Sequence, residues 1–218
     1  MLIAQSRVGG ALRRFETFLS SEQADRLSMF RCDAPASLVA QEVERKWCPT
    51  LSSHLEVLAL FEASAKKSLF IQQGYLCAGR DEARVRNKSG EYLLTLKSSG
   101  GLARMEIEVV LNQSQFNDLW PGTDGRRLEK TRSILMLESS SNEASIVEVD
   151  RFYGSCSPLV LVEMEFSSIQ RAGEFIAPSF FGTEVTEDSR YKNKSLACAG
   201  PPEGDLLALS SLSSPRVR

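Results

Sequence analysis

Glu42, Glu44 and Lys46 stand at every second position of EVERKW, a spacing that places all three on one face of an extended strand. Carboxylates clustered without histidine or cysteine suit a hard cation such as Mg2+ or Mn2+. The alternation returns along the chain. Arg84 and Arg86 flank Val85, Lys97 closes YLLTLK, and Arg104, Glu106 and Glu108 alternate with Met105, Ile107 and Val109. Lys130 and Arg132 flank Thr131, Glu148 and Asp150 alternate with Val147 and Val149, and Glu163 and Glu165 alternate with Val162, Met164 and Phe166. The set holds eight carboxylates and seven bases. An ordinary solvated sheet face would look similar in any one strand, but it mixes Thr, Ser, Gln and Asn with its charges. If the strands close into a barrel, one alternating set faces inward, and an ionic interior is costly unless paired or occupied by ions. Acids for a metal and arginines for bidentate phosphate contacts point together to a metal-bound linear polyphosphate. So many acids do not suit a nucleic-acid groove.

The elements that must carry these side chains are short. VERKW, ARVRN, YLLTLK, ARMEIEVVL, RLEKTRSILMLES, SIVEVDRFYG and LVLVEMEF are separated by turn-like NKSGE, SSGG, PGTDG and SSSNEAS, which predicts a core of antiparallel hairpins. Helices are expected at about 52–65, 114–120, 168–176 and 189–198, the last opened by Asp188. The fold class is α+β.

At 218 residues, 42% hydrophobic and 25% charged, the chain has the composition of one globular domain with extensions. A formal charge of −2 provides no global field for nucleic acid or an anionic membrane, and no apolar run approaches the ~20 residues of a spanning helix. A soluble protein without nucleic-acid or membrane partners is expected. Five cysteines without a CxxC spacing signal neither a disulfide framework nor a zinc knuckle, and read as reduced thiols. The single histidine, His54, rules out a multi-histidine zinc site and reads as a solvated helix residue beside Ser53 and Glu56, which have capping-box spacing. Residues 1–40 form an extension with Arg7, Arg13 and Arg14 ahead of the first acid, the pattern of a targeting segment; 200–218 read as a tail. A cytoplasmic location is expected, with a mitochondrion or other organelle as the alternative.

EVERKW, RVR, YLLTLK, RMEIEV, LEKTR, VEVDRF, LVLVEMEF and FFGTEVTEDSRYKNKSLA, in this order from about 41 to 199, resemble the successive blocks of the CYTH superfamily, the triphosphate tunnel metalloenzymes. The resemblance is to the short bacterial-type members, and IQQGYL belongs to the same series. It implies an eight-stranded antiparallel tunnel with a few flanking helices, in which a metal-bound triphosphate is hydrolysed. Carried over position by position, it implies Glu42, Glu44, Glu148, Asp150, Glu163 and Glu165 as metal ligands and Lys46, Lys130 and Arg132 as catalytic bases or phosphate-neutralising groups. It further implies Arg84, Arg86, Lys97, Arg104 and Lys192 as substrate contacts, with Lys194 a weaker one and Glu106 and Glu108 as lining or supporting groups. Gln73 and Tyr75 are candidates for the tunnel mouth, and Trp47 and Trp120 for packing. Arg151 and Ser133 depart from the family pattern on the face opposite the charges. The expected reaction is metal-dependent hydrolysis of inorganic triphosphate, with Mg2+ or Mn2+, by a monomer or homodimer. A class IV-type adenylyl cyclase, a thiamine or nucleoside triphosphatase acting on an organic triphosphate, and a non-catalytic polyphosphate-binding module are the alternatives.

Overall fold

The computed structural model describes residues 43–49, 67–79, 81–97, 106–138 and 144–203, together with His54, Glu56–Ala59 and Ala63. The extension, the tail after 203 and the SSGG turn lie outside the described residues, as do Glu42, Ser53 and Arg104. Among the described residues nine strands follow in chain order: β1 Val43–Cys48, β2 Lys67–Ala78, β3 Glu82–Lys88, β4 Glu91–Lys97, β5 Glu106–Leu111, β6 Arg127–Glu138, β7 Ala144–Phe152, β8 Val160–Phe166 and β9 Thr183–Glu184. Eight are six residues or longer and the ninth has two. The strand order is β5-β4-β3-β2-β6-β7-β8-β1-β9, with every registered pair antiparallel. Among the described residues His54, Glu56–Ala59 and Ala63 are helical, and the short helices α1 Gln113–Leu119, α2 Ile169–Glu174 and α3 Asn193–Ala199 complete an α+β fold.

The chain divides into two compact units. Residues 72–127 form the first. Its β3–β4 hairpin turns through Ser89 and Gly90, both at positive φ, 51° and 96°, the conformation that matches a tight hairpin to strand twist. Asn87 Oδ1 accepts from Gly90 N at 2.9 Å, so the NKSG segment supplies its own turn bond. Ala83, Val85, Leu94, Leu96, Ile107 and Leu111 pack on Phe116 and Leu119 of α1. Asn112 starts that helix with a capping box closed by Gln115. The opposite strand faces carry Arg84, Arg86, Thr95, Lys97 and Glu108.

Residues 43–71 and 128–203 form the second unit. Trp47, Leu135, Val147, Val149, Val160, Val162 and Met164 build its core with Phe181 and Val57. Period-two alternation therefore sends Glu44, Lys46, Lys130, Arg132, Glu148, Asp150, Glu163 and Glu165 to the other face. Two details differ from expectation. The single helix expected at 189–198 is a 3-10 turn, Ser189–Tyr191, followed by α3, because Lys192 is extended (φ −70°, ψ 137°) between them. Asp188 opens the turn by accepting from Arg190 N at 3.0 Å. His54 is buried, 5% exposed, rather than solvated, and burial followed by the charge of Arg151 pushes its pKa down.

Candidate active site

The register of the second unit interleaves acids with bases. Lys46 on β1 stands opposite Glu163 on β8, and Glu163 stands opposite Glu148 on β7. Asp150, two residues on, stands opposite Arg132 on β6. Arg132 reaches across this row like a fork. Its Nε and Nη2 donate to Asp150 Oδ1 and Oδ2 at 2.8 and 2.6 Å, while Nη1 meets Glu148 and Nη2 also meets Glu163. The five-donor guanidinium is the side chain that can serve three carboxylates at once. Lys130, 2% exposed, donates to Asp150 Oδ2 at 2.5 Å and to Asn193 Oδ1 at 3.2 Å, with its ammonium 5.4 Å from the Phe152 ring centroid. Lys46 Nζ lies 2.7 Å from Glu163 Oε1 and 3.2 Å from Glu44 Oε1.

Burial and charge act against each other in this row. Burial alone would push Glu163 up, but Arg132, Lys130 and Lys46 together hold its carboxyl well below the usual carboxylate range. Burial lowers Lys130, and the neighbouring Arg132 charge lowers it further, against the opposing pull of Asp150 and Glu163. Lys46 is raised although burial opposes it, because Glu163 and Glu44 favour its charged form. Glu44 is raised by burial first and by the Glu163 charge second. Glu148 is likewise raised by burial, with Asp150 and Glu163 adding to it against Arg132.

Glu44 and Glu165 stand directly opposite each other on β1 and β8. Like charges in that position repel. An oxygen-only donor pair of this kind has the chemistry to hold a hard divalent cation, which would relieve the repulsion. Among the described residues no group of three or more His, Cys, Asp or Glu is arranged to hold an ion. Glu42, the remaining acid of the first motif, lies outside them. Asp150, expected as a metal ligand, has both oxygens engaged by Lys130 and Arg132 and is fully buried.

In the first unit, Arg86 Nη2 and the Thr95 hydroxyl both reach Glu108 Oε1, at 3.3 and 3.0 Å, and Arg84 Nη2 donates to Thr95 Oγ1 at 3.3 Å. Lys97 faces Glu82 on β3 and Glu106 on β5 in register. Gln73 and Tyr75, expected near a mouth, are both 1% exposed and bonded to each other, Gln73 Nε2 donating to Tyr75 Oη at 3.0 Å. Lys192 is exposed at the start of α3. Thr95, Glu82 and Asn193 escaped the sequence reading. Thr95 and Glu82 sit on alternating faces already flagged, whereas Asn193 is an uncharged residue between two lysines and carries no spacing signal.

Antiparallel strands with one apolar face and one face of interleaved acids and bases have the chemistry to contact a polyanion. A curated inorganic triphosphatase from Nitrosomonas europaea is 44% identical over 162 residues, covering 73% of this chain and 99% of the relative. A crystal structure of an inorganic triphosphatase matches 76% of this chain and 100% of its own at 37% identity and a TM-score of 0.53. A second crystal structure, of a hypothetical protein, matches 74% and 100% at 40% identity and the same TM-score. No protein-family model matches the sequence. The chain belongs to the CYTH superfamily of triphosphate tunnel metalloenzymes, with the short bacterial-type inorganic triphosphatases.

Proposed function

We propose that this protein is an inorganic triphosphatase that hydrolyses triphosphate to pyrophosphate and phosphate with Mg2+ or Mn2+. The observation that carries the reading is the ionic row in which Arg132, Lys130 and Lys46 are each held by carboxylates on a mostly buried strand face. Preorganised cations of this kind neutralise charge without reorganising when a phosphoryl group transfers. Kinship to inorganic triphosphatases supports the substrate class. Glu44 and Glu165 would hold the divalent cation, with Glu42 and Glu163 as proposed supports. When bound, such an ion neutralises phosphate oxygens and polarises the phosphorus for attack.

In the proposed reaction, a water oxygen attacks a terminal phosphorus, the bridging P–O bond breaks and pyrophosphate leaves. Lys130, donating to Asp150 and Asn193, keeps one N–H for an oxygen of the transferring phosphoryl group, and the proton of the attacking water passes to the phosphate product. Arg132 and Lys46 bind phosphate oxygens as the charge redistributes. In the 72–127 unit, Arg84, Arg86 and Lys97 are the proposed phosphate contacts, and Arg104 and Lys192 complete the proposed set. Purified protein given inorganic triphosphate, ATP or thiamine triphosphate, with each metal and a chelator control, tests this. Metal-dependent orthophosphate release fastest on inorganic triphosphate is expected. Cyclic AMP with pyrophosphate, or no product from any substrate, would overturn it.

A further inference from the structure

We infer that Asn193 is a positioning residue for Lys130: its side-chain amide oxygen fixes the direction of the buried Lys130 ammonium. The inference rests on the proposed role of Lys130 and extends it to a residue on another element. A lysine ammonium is a point charge with three equivalent donors on a flexible four-carbon stem, so one acceptor leaves its direction underdetermined. Asp150 supplies one acceptor. Its Oδ2 is shared with Arg132 Nη2 at 2.6 Å, and its Oδ1 is held by Arg132 Nε, so Asp150 is itself locked in place. Asn193 Oδ1, 3.2 Å from Nζ, is the second acceptor, and it arrives from 63 residues further along the chain. Two acceptors at fixed points leave the third N–H with one defined direction.

The chain places Asn193 with some care. An asparagine caps helix backbone from the N-cap position, where Lys192 and not Asn193 stands. Here α3 begins without any side-chain cap from Lys192, and the Asn193 oxygen is turned to Lys130 instead. The helix is anchored by buried Leu196 and Ala197, by Ser195 Oγ donating to Ser189 O at 2.7 Å, and by Cys156 Sγ reaching Leu196 O at 3.5 Å. Buried Tyr191 fixes the chain just ahead of it. A neutral amide also suits the position chemically. It accepts a hydrogen bond without adding a further negative charge beside Asp150.

Steady-state kinetics on inorganic triphosphate with Mg2+ test the assignment, using wild type, Asn193→Leu, Asn193→Asp, Lys130→Met and the Lys130→Met/Asn193→Leu double variant. Asn193→Leu is expected to lower kcat by about 10- to 100-fold, the scale of a misplaced reacting group, while KM stays within about twofold. Asn193→Asp, which keeps an acceptor at the same point, is expected to recover much of that loss. The double variant is expected to be no slower than Lys130→Met alone, since a residue that acts through Lys130 has nothing left to position. Unchanged kcat in Asn193→Leu, or additive losses in the double variant, would overturn the inference while leaving the proposed activity standing. If wild type itself shows no turnover, the proposed activity fails. The ammonium cross-peak of 15N-lysine-labelled protein that is lost in Lys130→Met then decides: a shift in Asn193→Leu supports positioning, and an unmoved peak overturns it.

Discussion

Replacing Arg132 by Met removes the cation that three carboxylates share, and the structure says how unequal the consequences are. Asp150 keeps Lys130 at 2.5 Å and Glu163 keeps Lys46 at 2.7 Å. Glu148 keeps no ion pair among the described residues, since the one it makes there is with Arg132. Removing one member of a buried pair costs roughly 3–5 kcal/mol, since the charge left behind is uncompensated. For a chain of this length, each kcal/mol moves Tm by about 2–4 °C, so a fall of about 6–20 °C is expected. Most of the orphaned charge is on Glu148, so adding Glu148→Gln should restore about 1 kcal/mol or more by removing it. Thermal and urea unfolding followed by fluorescence, with Trp47 buried in the same unit as a reporter, gives both numbers. A Tm within about 1 °C of wild type, or a double variant less stable than Arg132→Met, would refute the view that Arg132 holds the row together.

Glu44→Gln, which removes a charge at nearly constant volume, should abolish metal-dependent phosphate release while leaving Tm within about 2 °C; unaltered turnover at saturating metal would take Glu44 out of the metal set. Arg45→Lys should cost about 1–2 kcal/mol in urea unfolding. Arg45 forks onto Glu184 at 2.8 and 2.6 Å, donates to the Ala172 and Phe175 carbonyls, and lies 5.0 Å from the Trp47 ring, whereas an ammonium reproduces only part of this. Gly74→Ala should destabilise by about 1–3 kcal/mol, because the new Cβ would stand 2.5 Å from the Thr123 side chain. Thr123 has little room to yield, being fully buried and bonded to Trp120 O at 2.7 Å; a neutral result in denaturant titration would contradict that packing.

Strands whose two faces differ in charge were legible from the residues alone. Lys46, Arg132, Glu148, Asp150 and Glu163 fall on one face because alternation leaves them no other choice. β2 was absent from the list of alternating runs for the complementary reason. KSLFIQQGYLCA presents no charge contrast after Lys67, and its buried Gln73 and Tyr75 bond to each other. Which acids are held by bases was also not legible. Spacing gives the face of a residue but not its partner, and whether Asp150 meets an ion or the Arg132 fork depends on the register of β6 against β7. Asn193 and His54 show the same limit from another side. Each owes its role to a distant element, Lys130 for one and buried surroundings near Arg151 for the other.

Glu163 sits in the middle of β8, where Val160 to Met164 are all buried. Apolar strands of this kind slide past one another at little cost, since one valine resembles the next. A slip of a single residue would carry the Glu163 carboxylate to the side of Trp47 and Val149, far from Lys46 and Arg132. The charge therefore works as an address written into an otherwise repetitive strand, rejecting near-miss alignments during assembly before any substrate is met.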